Sequence, residues 1–283
     1  MIKLLTIILL ILLLLIGKTR GLKTFFSIYF NLALIFILVI ITGWGFNPTI
    51  PTLVISIIMS IIIQFFLNGT NHKTVSSFLS VILILLLFTG ITIILGNNIY
   101  ISGYSEETIE SIGFINYNVG INMLPLSNSI IIIGLIGTIN DTAIAISSAL
   151  YEVHENNKKL SPIELFNSGM NIGKDILGTT ANTLFFAFLG SSMPLFIYLQ
   201  DFQYSFSAII NSKVFASEFT RIILSGISSF LNIPVSSLIT TIILKYDKED
   251  IYEKIKYYLR RQRITSSRKR ITSINNSNRK KKI

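Results

Sequence analysis

The sequence predicts an all-α protein, a polytopic transmembrane helix bundle of about seven spans with one broken or re-entrant helical segment. Three observations predict it. Only 13% of the 283 residues are charged and 51% are hydrophobic, whereas a soluble globular chain carries about 25% charged residues. The apolar residues gather in stretches of about 20, the length that crosses a bilayer as a helix. The charge that remains lies mostly between those stretches or beyond the last of them.

The stretches are 2–16, 25–46, 50–67, 75–96, 127–150, 178–200 and 218–244. The first, apolar from Leu4 to Ile16 except at Thr6, also suits the core of a secretory signal. Gly17-Lys18-Thr19-Arg20 offers no small-x-small cleavage site and adds positive charge, which favours a retained helix. Lys18, Arg20 and Lys23 follow the first span, Lys73 the third, and Lys158 and Lys159 the fifth. Loops on the other side hold Lys213 alone, so the excess of basic residues predicts an N-terminus outside and a C-terminus in the cytoplasm of a bacterial cell membrane.

The chain divides into four parts: N-terminal membrane helices over 1–96, an extracytoplasmic loop over 97–126, a core of membrane helices over 127–244, and a cytoplasmic tail over 245–283. In the loop, Ser105 followed by Glu106, Glu107 and Glu110 predicts a short capped helix. The tail begins with Ile251, Ile255 and Leu259 at amphipathic spacing and continues as a basic, Ser- and Asn-rich segment expected to be disordered. It carries the whole net charge of +10. Beside a bilayer such a tail reads as an anchor to anionic lipid, so the partner implied is the membrane and not nucleic acid.

With no cysteine, the chain has no disulfide, thiolate metal site or cysteine nucleophile. His72 and His154 are far apart in polar segments, and neither has a second histidine at ligand spacing. Gly169–Lys174 imitates a phosphate loop, but it is one residue short, and Asp175 stands where a magnesium-binding hydroxyl belongs. Neither a G-x-S-x-G nor an H-E-x-x-H motif occurs. No enzyme activity, metal or cofactor is expected.

Polar residues inside spans are costly, so their positions are informative. Gly134, Thr138, Asp141, Ala145, Ser148 and Glu152 form one stripe of span five at helical spacing. Glu164, Ser168, Asn171, Asp175, Gly178 and Asn182 form a second, and Glu218, Arg221, Ser225, Ser228, Asn232 and Ser236 a third. Spans one and three read as uniformly apolar, lipid-facing helices. The three stripes are expected to face one another along a polar seam. Asp141, near mid-span, needs a proton or a partner at that depth, and Lys174, Asp175, Glu218 and Arg221 are the nearby ionisable groups. Asn171, Asn182 and Asn232 are candidate neutral ligands.

Ser161-Pro162-Ile163-Glu164 predicts a helix start with a capping box. A helix running unbroken from Pro162 to Tyr198 would be about 55 Å long, so a break is expected near Gly173 or Gly178. Packing is the plainer alternative for these residues, because small residues let helices approach and Ser and Asn bond between them.

The blocks Gly134–Leu150 (GLIGTINDTAIAISSAL), Leu165–Leu184 (LFNSGMNIGKDILGTTANTL) and Gly190–Leu195 (GSSMPL), with Glu218, Arg221 and Pro234, resemble the YibE/F-like family of bacterial multi-pass membrane proteins. The resemblance covers about 100–244 and is to the shorter, YibF-type members. It implies a membrane fold and, because such proteins are often encoded in adjacent pairs, a related partner subunit. The family pattern has Met and Val flanking the aspartate; here Asn140 and Thr142 flank Asp141. Two functions are expected in competition. One is a permease with Asp141 at its centre, acting on an ion or small solute; the other is a non-transporting subunit or scaffold that forms homo- or hetero-oligomers.

Overall fold

The computed structural model describes residues 1–99, 123–201 and 205–246, and these form helices joined by short turns. Six of the described helices are long and apolar enough to cross a membrane. Met1–Thr241 is one compact unit; a second begins at Ile242, and of it only the end of the last helix is described. The expected helix at 105–110 and most of the tail lie outside the described residues.

The first helix, α1 (Ile2–Gly43), is interrupted at Lys18, whose backbone leaves helical geometry at φ 47° and ψ −123°. In a straight helix Leu13 and Gly21 would stand about 12 Å apart. Here Gly21 presses against the Leu13 carbonyl, where no β-carbon fits. The chain therefore doubles back, and its two limbs correspond to the first two predicted spans. Lys18, Arg20 and Lys23 gather around the turn. Most of α1 remains exposed, including Leu15 and Ile16.

Asn47, one residue before the N-cap Pro48, accepts the Thr49 N–H at 3.1 Å as the next helix begins. This helix, α2 (Thr49–Ile61), continues into a π-helical turn over Ile62–Phe66. Asn71 and Thr74 bond reciprocally, each side chain accepting the other's N–H at 3.0 Å, and launch α3 (His72–Ile99). The main core forms where α3 meets α4 (Met123–Asn156). Val81, Ile84, Leu85 and Phe88 lie along one face of α3 and pack on Ile132, Leu135, Ile136 and Ile139 of α4. Both sets follow the three-to-four residue spacing of a single helix face.

The predicted capping box opens α5 (Pro162–Asp201): Ser161 Oγ accepts the Glu164 N–H, and Glu164 accepts the Ser161 N–H. The expected break is absent. α5 is one helix of 40 residues, about 60 Å long. Gly169 and Gly173 serve close packing instead of a hinge, whereas Gly178 has open space around it. A β-carbon at Gly169 would meet Ser237 Oγ at 2.5 Å, and one at Gly173 would collide with Ile233. The broken helix of this fold is α1. A short helix, α6 (Phe206–Ile210), capped by Ser205, precedes α7 (Lys213–Tyr246).

Candidate functional site

The polar residues of the described helices separate into a buried population and an outward one. The buried population is a spine through α2, α3, α4 and α7. Thr52, Ser56, Ser60 and Gln64 recur every four residues along α2 and its π turn, all buried. Gln64 Nε2 donates to Asn140 Oδ1 at 3.0 Å. Asn140 Nδ2 in turn donates to Ser60 Oγ at 3.0 Å and to the Ile136 carbonyl at 2.8 Å. Single π turns often mark functional positions; this one carries Gln64 into the interior.

α7 supplies the other half of the spine. Asn232 Nδ2 donates to the Ile139 carbonyl at 2.8 Å. Ser236 donates to Ser80 at 2.8 Å and lies 3.2 Å from Asn232 Oδ1. Thr142 meets Ser229 at 2.5 Å, and Ser147 meets Thr240 at 2.9 Å. The α7 stripe from Ser225 to Ser236 thus faces protein, as its spacing predicts. Asn232, a candidate ligand by sequence, is held as a pin between helices.

The stripe that contains Asp141 faces the other way. Gly134, Gly137 and Asp141 are exposed, Thr138 is half-buried, and Asp141 has neither a hydrogen bond nor an ion pair among the described residues. Thr138 turns its hydroxyl back to the Leu135 carbonyl at 2.9 Å. The Arg221 stem packs over Gly134, 3.3 Å from where a β-carbon would be. Its guanidinium pairs with Glu218, and both side chains are 30% exposed. Gly134 and Asp141 lie two turns apart, about 10 Å along the same face of α4. The structure therefore sets the Arg221 stem against the face of α4 that carries Asp141, about two turns away from the carboxylate.

Asn171, Lys174, Asp175 and Asn182 lie elsewhere. All four are exposed on the side of α5 opposite its packed face of Leu165, Gly169, Gly173 and Phe188. Lys174 Nζ comes within 3.5 Å of Asn171 Oδ1, and neither Lys174 nor Asp175 has an ion pair among the described residues. The three stripes do not converge on one seam within the chain. α7's is buried from Ser225 to Ser236, and the other two are outward.

Span three is corrected as well. α2 is no uniform lipid-facing helix, because its Thr52–Gln64 series lines the interior. Ser60, Gln64, Ser80, Asn140, Thr142 and Ser229 are the residues that sequence reasoning missed. The available signal was the strict spacing of four in α2.

These features define a multi-pass helical membrane protein with a neutral polar spine and, on an outward helix face, a carboxylate without a partner among the described residues. The family model described as YibE/F-like protein matches residues 5–246, and the chain belongs to the YibE/F-like family. The match takes in the N-terminal helices as well as the 100–244 stretch that carries the resemblance. Neither the curated proteins nor the solved structures yield a match.

Proposed function

We propose that this chain is a permease-like protein of the bacterial cytoplasmic membrane, in which Asp141 binds a proton or small cation. The observation that carries the reading is the placement of Asp141: a carboxylate near mid-span on α4, without a partner among the described residues and facing away from the packed core. A charge held there against hydrocarbon is expensive, and intramembrane ionisable residues commonly mark substrate or ion pathways. Gly137 and Thr138 leave room beside it for water or a solute. Arg221 is the switching partner, able to leave Glu218 and reach along that face of α4 when Asp141 is empty. The N-terminus lies outside and the C-terminus in the cytoplasm, a topology supported by the basic turn at Lys18 and the basic tail.

The decisive experiment is transport by purified protein in vesicles, screened against a panel of monovalent and divalent cations with and without a proton gradient. Asp141→Asn abolishes transport while leaving the membrane level of the protein unchanged; full activity of that variant would sink the reading. Thiol reagents from the aqueous phase label Thr138→Cys and Ala145→Cys, and leave the buried Ser225→Cys and Asn232→Cys protected. A second reading, a non-transporting subunit, draws on the outward polar face of α5, which calls for a protein partner whether or not anything is transported.

A further inference from the structure

We propose that a water molecule is built into the interior of the bundle where the π turn of α2 meets α3, held between the side-chain carbonyl of Gln64 and the hydroxyl of Ser77. The orientation of the Gln64 amide is set by its partner. Asn140 Nδ2 commits both of its hydrogens, to Ser60 Oγ at 3.0 Å and to the Ile136 carbonyl at 2.8 Å. Turning that amide over would set its oxygen against the Ile136 carbonyl, which can only accept. Asn140 therefore shows Oδ1 to Gln64, and Gln64 must answer with Nε2. Gln64 Oε1 is left on the other side of its amide, fully buried and without a hydrogen bond among the described residues. The π turn is what keeps it there. A spacing of four drifts by about 40° per step on an α-helix, and the wider turn over Ile62–Phe66 offsets the drift, holding Gln64 on the interior face of Ser56 and Ser60.

α3 supplies the counterpart. The rings of Phe65 and Phe78 meet at 5.1 Å, so their chain neighbours Gln64 and Ser77 lie at one level of the α2–α3 hairpin. The other hydroxyls that α3 buries around that level are spent on carbonyls: Thr74 donates to Gly69, Ser76 to Lys73 and Ser80 to Ser77. Ser77 Oγ is fully buried and has no such bond among the described residues. A carbonyl oxygen and a hydroxyl at one level, with no direct bond between them, are completed by a small molecule that donates to the first and bonds the second. In a membrane interior the alternative, a polar group with no partner, is costly. The surrounding charge makes the occupant neutral. None of residues 1–99 is acidic, so no carboxylate of α1, α2 or α3 can balance a cation. Lys23 Nζ stands over the Phe66 ring and Lys73 Nζ over the Tyr151 ring, each at 5.9 Å, so the charges beside the hairpin are positive and repel one. Water meets both demands, and buried waters characteristically bond polar groups that the chain leaves unsatisfied.

The test is a crystal structure of the full chain grown in lipid, at a resolution that shows ordered water. One peak within about 3 Å of both Gln64 Oε1 and Ser77 Oγ is expected. It persists in Asp141→Asn and is lost in Ser77→Ala, which removes one of its two holders. A direct Gln64–Ser77 bond, a donor from another helix on Gln64 Oε1, or a gap with no density overturns the proposal; a peak unchanged in Ser77→Ala overturns the part given to Ser77. A second arm excludes an ion. Thermal unfolding of Asp141→Asn in mixed micelles is followed in sodium, potassium and choline chloride at equal ionic strength, a background that removes the cation site proposed above. The same midpoint is expected in all three salts. A saturable rise with sodium or potassium that disappears when Gln64→Leu is added overturns the proposal, because a cation is then the occupant. The site is separate from Asp141, so transport lost or kept in Asp141→Asn leaves this outcome unaffected.

Discussion

Asn140 and Asp141 are adjacent in sequence and opposite in circumstance. Asn140 is buried and makes three hydrogen bonds, to Gln64, Ser60 and the Ile136 carbonyl. Asp141, one residue on and about 100° around the helix, is exposed and makes none among the described residues. The same contrast holds between α7, whose polar stripe is tied to α3 and α4, and α5, whose stripe faces outward. A polar residue in a span is part of the architecture when its bonds are satisfied inside the chain. Where they are not, the outstanding partner is water, a solute or another protein. The division between structure and function thus runs along helix faces, not between helices.

The packed side of α5 gives the largest expected effect on folding. Gly173→Leu drives a branched side chain into Ile233, and overpacking of this kind costs about 1–3 kcal/mol or more. The folded fraction in mild detergent should fall sharply, with a matching loss of stability on unfolding in mixed micelles. Gly178→Leu is the control on the outward side, where nothing lies within 4 Å. It should leave the folded fraction unchanged. Equal damage from both would mean that α5 is enclosed all round.

Asn140→Leu comes next. Interhelical hydrogen bonds in membrane proteins average about 0.6 kcal/mol, and this variant also leaves the buried Gln64 amide without its partner, at about 1–3 kcal/mol. A total loss of about 2 kcal/mol is expected from unfolding in mixed micelles. Adding Gln64→Leu should recover part of it, because the stranded group is then gone, and the double-mutant cycle reports the coupling. Strict additivity would dissolve the Gln64–Asn140 link on which the spine depends.

Much of the fold was legible from the residues. The capping box at Ser161–Glu164 placed the start of α5, the basic cluster after Ile16 placed the turn in α1, and the apolar stretches placed the other spans. The direction of each stripe was not legible. Asn140, Asp141 and Thr142 point in three directions 100° apart, and the paths of α2 past Asn140 and of α7 past Thr142 decide which are covered. Gly173 suited a hinge as well as a contact until Ile233 was found against it. The α2 series was hidden for a different reason: four hydroxyl and amide residues among Ile, Leu and Phe barely lower the hydropathy of a span, although their spacing puts them on one face. Asp141 was legible as a position and Arg221 as a residue of interest, but their shared face depends on Gly134 admitting the Arg221 stem.

The smallest effect on stability is expected for Asp141→Leu, and it separates the two readings of the protein. If Asp141 serves a pathway, its removal breaks no bond among the described residues, and unfolding in mixed micelles should shift by less than about 0.5 kcal/mol, as for substitutions away from packed features. The amount of folded protein should equal or exceed that of the parent, since a charge that is costly to hold at that depth has been taken away, while transport is lost as completely as in Asp141→Asn. If Asp141 instead holds a partner subunit, Asp141→Leu lowers the amount of assembled protein, and activity falls only in proportion to what remains. Comparing transport per folded molecule in the two variants therefore distinguishes a carboxylate used in passage from one used in assembly.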